Sequence, residues 1–411
     1  ISNTVAIGYN ALTNTTNNHN TACGSKALED TTSGSSNVAV GSLSLTDNTT
    51  GTSNTAVGFA SLRYGTTSSN NTALGSGAAS NTTGGNNTAV GMQALLTNTS
   101  GGDNTVVGSI ALDANTSGAR NTALGRDSLG ANTTGSDNVV IGQSAFARQT
   151  TVSNNVGIGN EAGSFQTGSN NVAIGRNAFK GTSSGTHTGY QNVAVGTNAL
   201  FNCTSGIQNN AIGYTALQAN TTGINNDAHG HASMLSNTSG SYNIAMGRAS
   251  LDANTSGSNN VALGPFALTK NTTAGNNVAV GYETLEENLT GTQNVAVGNN
   301  ALDNNTTGSF NTAVGHNCLG GNTEANYNTA IGISALAVNS TGTQNTGIGA
   351  ESLSSNTTAS HNTAVGYQSL DNNTTGTSNA ALGRGALASN TTASNNTGIG
   401  RQALAANTTG D

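Results

Sequence analysis

The stretch that decides the fold is Asn294-Val295-Ala296-Val297-Gly298-Asn299-Asn300-Ala301-Leu302-Asp303-Asn304-Asn305-Thr306-Thr307-Gly308-Ser309-Phe310. Seventeen residues after Asn294 the phrase restarts as Asn311-Thr312-Ala313-Val314-Gly315. Followed outward in both directions, its first glycine recurs from Gly8 to Gly400 in 24 copies, which together account for the whole chain of 411 residues. Self-similarity at a fixed period marks a repeat architecture, so one continuous domain over 1–411 is expected in place of the two or three globular domains this length ordinarily suggests. The spacing is seventeen nearly everywhere. The largest departure, Gly175 to Gly196, inserts four residues near 180–190, a Gly/Ser/Thr-rich stretch that reads as a bulging loop.

Composition narrows the class. Charged residues make up 7% and aromatic residues 4%, with 56 Gly and one Pro, Pro265; an ordinary domain carries roughly 25% charged residues. No run approaches the ~18 apolar residues of a membrane-spanning helix, so membrane insertion of this segment is not expected. Disorder is disfavoured because the 34% hydrophobic residues recur at fixed places. A net charge of −7 with 11 scattered Lys and Arg leaves no basic stripe for nucleic acid. With no starting Met and no signal-peptide pattern, the chain reads as a mature product or a segment of something longer.

Each position in the repeat has a physical reading. Asn stands four residues before the marker glycine in 23 of 24 copies, with Thr4 the exception. Leu stands four after it in 19, replaced elsewhere by Ala79, Phe146, Gly163, Phe179 and Met234. Thr-Ala-Val is a short strand by residue type and alternation, with Thr and Val on one face and Ala on the other. The Asn-Thr-Thr-Gly segment is a corner, where Asn tolerates left-handed backbone. Helix is excluded by the abundance of Gly, Asn, Thr and Ser, and hairpins by the absence of any Asn-Gly turn. Stacking units in register buries what a single unit cannot. The expectation is an all-β, parallel β-solenoid of 24 coils, at ~4.8 Å per coil a rod of ~110 Å, with Val on Val and Leu on Leu in the core and buried Asn ladders. The strand Ala is expected on an outer face, where its small size lets another copy approach.

Phrases such as Asn294–Gly298 and Asn328-Thr329-Ala330-Ile331-Gly332 resemble the head repeats of YadA-type trimeric autotransporter adhesins. The longer, seventeen-residue form is similar to repeats in phage tail fibres and large bacterial surface proteins. The resemblance implies a left-handed β-roll assembled as a homotrimer, extracellular on a bacterial surface or a virion, meeting a host surface, matrix or glycan receptor.

Little in the sequence points to chemistry. Catalysis needs unlike residues converging in one place, whereas repetition supplies the same residues at every level, so no enzyme and no cofactor are expected. Glu283, Glu286 and Glu287 read as solvated surface. Cys23, replacing the usual Val, reads as a small core hydrophobe; Cys203 and Cys318 occupy other phases, so no disulfide framework forms. The sharpest oddity is Asp227-Ala228-His229-Gly230-His231. His229 and His231 are candidate metal ligands, because imidazole suits transition metals and side chains two apart on a strand share a side. The pattern resembles the His-x-His iron sites of long phage tail fibres. His19, His187, His316 and His361 read as isolated and exposed. Dense Asn-x-Ser/Thr sequons, such as Asn98-Thr99-Ser100 and Asn373-Thr374-Thr375, read as coil corners in preference to glycan acceptors. The leading expectation is a non-catalytic, structural and adhesive fibre segment. The alternatives are a single-chain or self-assembling extracellular filament and an ice-binding solenoid.

Overall fold

The computed structural model describes residues 3–182 and 187–410. Among the described residues it is all β: twenty-four three-residue strands, one per repeat, paired in parallel with their sequence neighbours within each of two units. The chain forms two compact units, Ile1–Ile207 and Gln208–Asp411. The first holds β1 (Val5–Ile7) to β12 (Val193–Val195), the second β13 (Asn210–Ile212) to β24 (Thr397–Ile399). Both are parallel β-solenoids of twelve coils. The inserted stretch near 180–190 lies partly outside the described residues, at 183–186; His187 beyond them bridges in parallel to Gln166.

Register follows the repeat. Between β18 (Val295–Val297) and β19 (Thr312–Val314), Val295 pairs with Thr312, Ala296 with Ala313 and Val297 with Val314. Beyond the strands the turns also bond coil to coil: Leu302 N–H donates to the Cys318 carbonyl at 2.9 Å, and Thr306 N–H to the Thr323 carbonyl at 2.8 Å.

Two columns of buried Asn join the coils, as expected. In the first, at the head of each strand, Asn294 Oδ1 accepts both the backbone N–H and the side-chain amide of Asn311, at 3.0 and 3.2 Å. The Asn311 amide also donates across its own coil to the Ala325 carbonyl, at 2.8 Å. In the second column, at the corner, Asn305 Nδ2 donates to Asn288 Oδ1 at 2.8 Å and to the Gly308 carbonyl at 2.9 Å. All of these Asn side chains are fully buried.

The strand faces are the reverse of the sequence expectation. Ala296, Ala313 and Ala330 are 0% exposed, and the first and third strand residues point outward. Leu302, Leu319 and Leu336 do fill the core. The reason is the narrow coil. Between the Asn column and the Leu column there is room for a small side chain: mostly Ala, with Val106 and Val140 the largest to fit, both fully buried. A Cβ built on Gly347, which replaces one of these Ala residues, would sit 3.4 Å from Leu336 Cγ and 3.0 Å from Ser352 Oγ. Where Phe146 takes the Leu place, the next coil gives way at Gly157 and Gly163, whose added Cβ atoms would lie 2.5 and 2.4 Å from the Phe146 ring.

Backbone strain is also placed differently. The corner Asn residues are absent from the positive-φ set, while Asn300 (φ 54°), Leu302 (φ 54°) and Phe310 (φ 61°) adopt it, and the pattern repeats along the chain. Left-handed backbone costs a non-glycine residue roughly 1–2 kcal/mol; here the fully buried Leu side chain and the coil-to-coil bonds on both sides hold it. The marker glycine is different. Gly298 has φ 133°, and a Cβ there would lie 2.5 Å from the Gly315 carbonyl oxygen, so no side chain fits.

Asn311→Ala is expected to strand the Asn328 N–H, now 3.0 Å from Asn311 Oδ1, while the Ala325 carbonyl keeps the Asn322 amide at 3.2 Å. At about 1–3 kcal/mol for a buried group left unpaired, chemical denaturation should show a loss of that size. Thr307→Ala, at an exposed site, should stay within about 0.5 kcal/mol of the parent.

Candidate functional site

No cavity opens among the described residues, and no group of three or more His, Cys, Asp or Glu side chains among them is placed to hold a metal. No helix among them is long and apolar enough to cross a membrane. What the fold does present, in each unit, is an outward strand face of two parallel columns. The first strand residues form a Thr/Val column; the third form a column of Val, Ile and Leu. Leu74, Leu124 and Leu382 in the second column are 48%, 44% and 50% exposed. Polar columns normally face water on a single solenoid, so this apolar stripe is the feature to explain. The Ala ladder is wholly internal, which removes it as an approach surface for another copy.

The two candidate metal ligands have separate partners. In β14 (Asp227–His229) the outward Asp227 and His229 flank the buried Ala228. His229 Nε2 lies 2.8 Å from Asp227 Oδ1. His231, beyond the Gly230 turn at φ 137°, stacks on Tyr214 with ring centroids 5.3 Å apart and planes 21° from parallel. Within one chain the residues make an Asp–His pair and a Tyr–His stack, each formed at its own place.

Of the remaining histidines, His19, His316 and His361 are exposed as expected. His187 is not: it is fully buried, its Nε2 donates to the Thr182 carbonyl at 2.7 Å, and Nδ1 has no partner. The insertion hid this from sequence reading, because it displaced His187 from the repeat phase into the buried column that Gln166 occupies one coil earlier. Gln166 in turn donates its amide to the Cys203 carbonyl at 3.0 Å.

Cys23 is half-buried on the outward face, not in the core, for the same reason that Val is. Cys203 and Cys318 are buried, and burial pushes both thiols up to about 12. Thiolate is the reactive form, so neither is nucleophilic near neutral pH. The acidic cluster is only partly solvated. Burial first, then the neighbouring Glu283 and Glu287, raises the Glu286 carboxyl above its ordinary range, while Glu287 pairs with Lys270 at 2.5 Å. The sequon residues Asn98 and Asn373 are fully buried and hydrogen-bonded to Gly101 and Gly376, a placement that leaves no room for a glycan.

The chain matches no protein-family model and no curated protein. What the structure establishes is the class: an all-β parallel solenoid with stacked polar columns inside and an apolar stripe outside.

Cys203 and Cys318 should resist a maleimide in the native chain at pH 7.5 and react once guanidinium unfolds it. Mass spectrometry of the labelled peptides reads this; rapid native labelling of either would contradict the buried placement.

Proposed function

We propose that the chain is a non-catalytic, structural and adhesive segment of an extracellular fibre, on a bacterial surface or a phage tail, in which three copies pack through the outward strand face. The observation that carries this reading is the aliphatic column on that face. A monomer seldom shows an apolar patch above roughly 300–600 Å², and a stripe repeated through the coils of each unit is the kind of surface a partner covers. The interface therefore belongs to the Thr/Val and Val/Ile/Leu columns and not to Ala. The side chains just outside the face vary, from Tyr282 through Asn299 and His316 to Ile333, and these are the positions from which a host surface, matrix or glycan would be met. The number three and the adhesive role are supported by the resemblance of the repeat phrase to trimeric adhesin heads.

Outward Thr favours a second reading. Thr312, Thr329, Thr346 and Thr363 stand in one column in consecutive coils, the kind of flat rank that orders water in an ice-binding solenoid. That reading requires an uncovered face.

Light scattering on the full chain separates the two. The fibre reading predicts one species at three times 40.5 kDa at every concentration, and mild oxidation should give a disulfide-linked dimer that Cys23→Ser abolishes. A monomer with no cross-link, showing thermal hysteresis, would establish the ice-binding reading instead. Three copies of His229 would also meet on such a face, so elemental analysis of the purified oligomer should find a transition metal that His229→Ala removes; a metal-free oligomer ends the metal proposal and leaves the fibre intact.

A further inference from the structure

Near-identical coils pose a problem for any assembly that packs coil against coil. If copies meet through the outward face, sliding one past another by a single coil, about 4.8 Å, sets aliphatic against aliphatic again. The apolar columns leave the register open, as repetitive strands do. A residue that interrupts the repeat has to choose it.

The interruptions on this face are few. Across the twenty-four strands, the first residue is Thr or aliphatic except at Asn210 and Asp227, and the third is aliphatic or Met except at Cys23 and His229. Only β14 carries ionisable side chains at both outward positions. Asn210 lies directly beside Asp227 in the pairing of β13 with β14, and His229 sits between Ile212 and Met246. Asp227 and His229 are 34% and 39% exposed, so a partner can reach both. Each is also the other's support, because Asp227 Oδ1 has no hydrogen-bond partner beyond the His229 contact.

On the reading that copies pack through this face, we infer that the Asp227–His229 pair is the register key of self-association, its partner being the same pair on a second copy. In level register each pair meets an acid and an imidazole, so carboxylates and ring N–H groups from different copies exchange partners. One coil out of register, His229 is pressed against Ile212 or Met246, and Asp227 against Ile244 or, in the other direction, beside the Asn210 amide. The imidazole in both slips, and the carboxylate in one, then lose water without gaining a partner, which buried charges and polar groups do not tolerate. A single polar residue in an otherwise apolar seam fixes coiled-coil register in the same way, at a cost in stability. The role explains why both ionisable substitutions, Asp227 and His229, fall in one coil: one charged level suffices, and more would weaken the seam.

The test uses Asp227→Thr with His229→Val, which restores the repeat phrase and should fold. In a Cys23→Val background, two differently tagged chains are co-expressed, one with Val280→Cys and one with Val314→Cys, and oxidised in the presence of a chelator. Val280 and Val314 stand two coils apart in one column, about 10 Å, beyond the ~7 Å Cα separation a disulfide spans. With Asp227 and His229 in place, cross-links should join like positions only. The Asp227→Thr/His229→Val chains should keep the same oligomeric mass yet show 280–314 cross-links at least fivefold above that background. Equal 280–314 cross-linking in both overturns the register key while the assembly stands. A monomeric mass for the unaltered chain overturns both together.

Discussion

Every coil depends on an amide it cannot satisfy alone. The side chain of each strand-leading Asn is buried, and its oxygen finds its donors in the next coil: for Asn294 these are the backbone N–H and side-chain amide of Asn311. Left unpaired, such a group costs about 1–3 kcal/mol, and a seventeen-residue unit alone cannot bury its Leu and Ala to offset that. Stacking in register satisfies it at every level, and the corner column of Asn288, Asn305 and Asn322 repeats the device. Mixed hydrogen-bonded and apolar columns thus make the fold quasi-one-dimensional, with each coil supported by its neighbours.

The rest of the coil follows from closing around those amides. The Asn311 amide reaches the Ala325 carbonyl across its own coil, which draws the walls together until only a small side chain, most often Ala and in two coils Val, fits between strand and Leu column. The aliphatic third residue is then forced outside. The same closeness excludes a side chain at Gly298 and trades Phe146 against Gly157 and Gly163. An outward apolar column is therefore a consequence of how the interior is built, and the assembly it invites begins there.

Much of this was legible in the sequence. Period, strand position, parallel stacking and Asn columns all follow from residues such as Asn294, Val297, Gly298 and Leu302, because identical residues at fixed spacing can only stack. Facing was not legible. Alternation separates Ala296 from Val295 and Val297 but does not say which side is inside, and hydrophobicity alone chose wrongly; the deciding term was width. Positive φ at Leu302 was likewise hidden, since propensity assigns that conformation to Asn or Gly and tertiary packing overrides it here. His187 was misplaced because the insertion shifts its phase. Asp227, His229 and His231 were legible as an anomaly, yet their pairing with one another and with Tyr214 needed coordinates.

The buried Asn side chains carry the coil-to-coil cohesion. Hydrogen exchange of the Asn side-chain amide protons, followed by NMR on the native chain, tests it most directly. The buried amides of residues such as Asn294, Asn311 and Asn305 should exchange orders of magnitude more slowly than those of exposed Asn304, and strand-leading and corner columns should lose protection together as denaturant rises. Exchange of the buried amides at the rate of Asn304, with the β-structure intact, would contradict it.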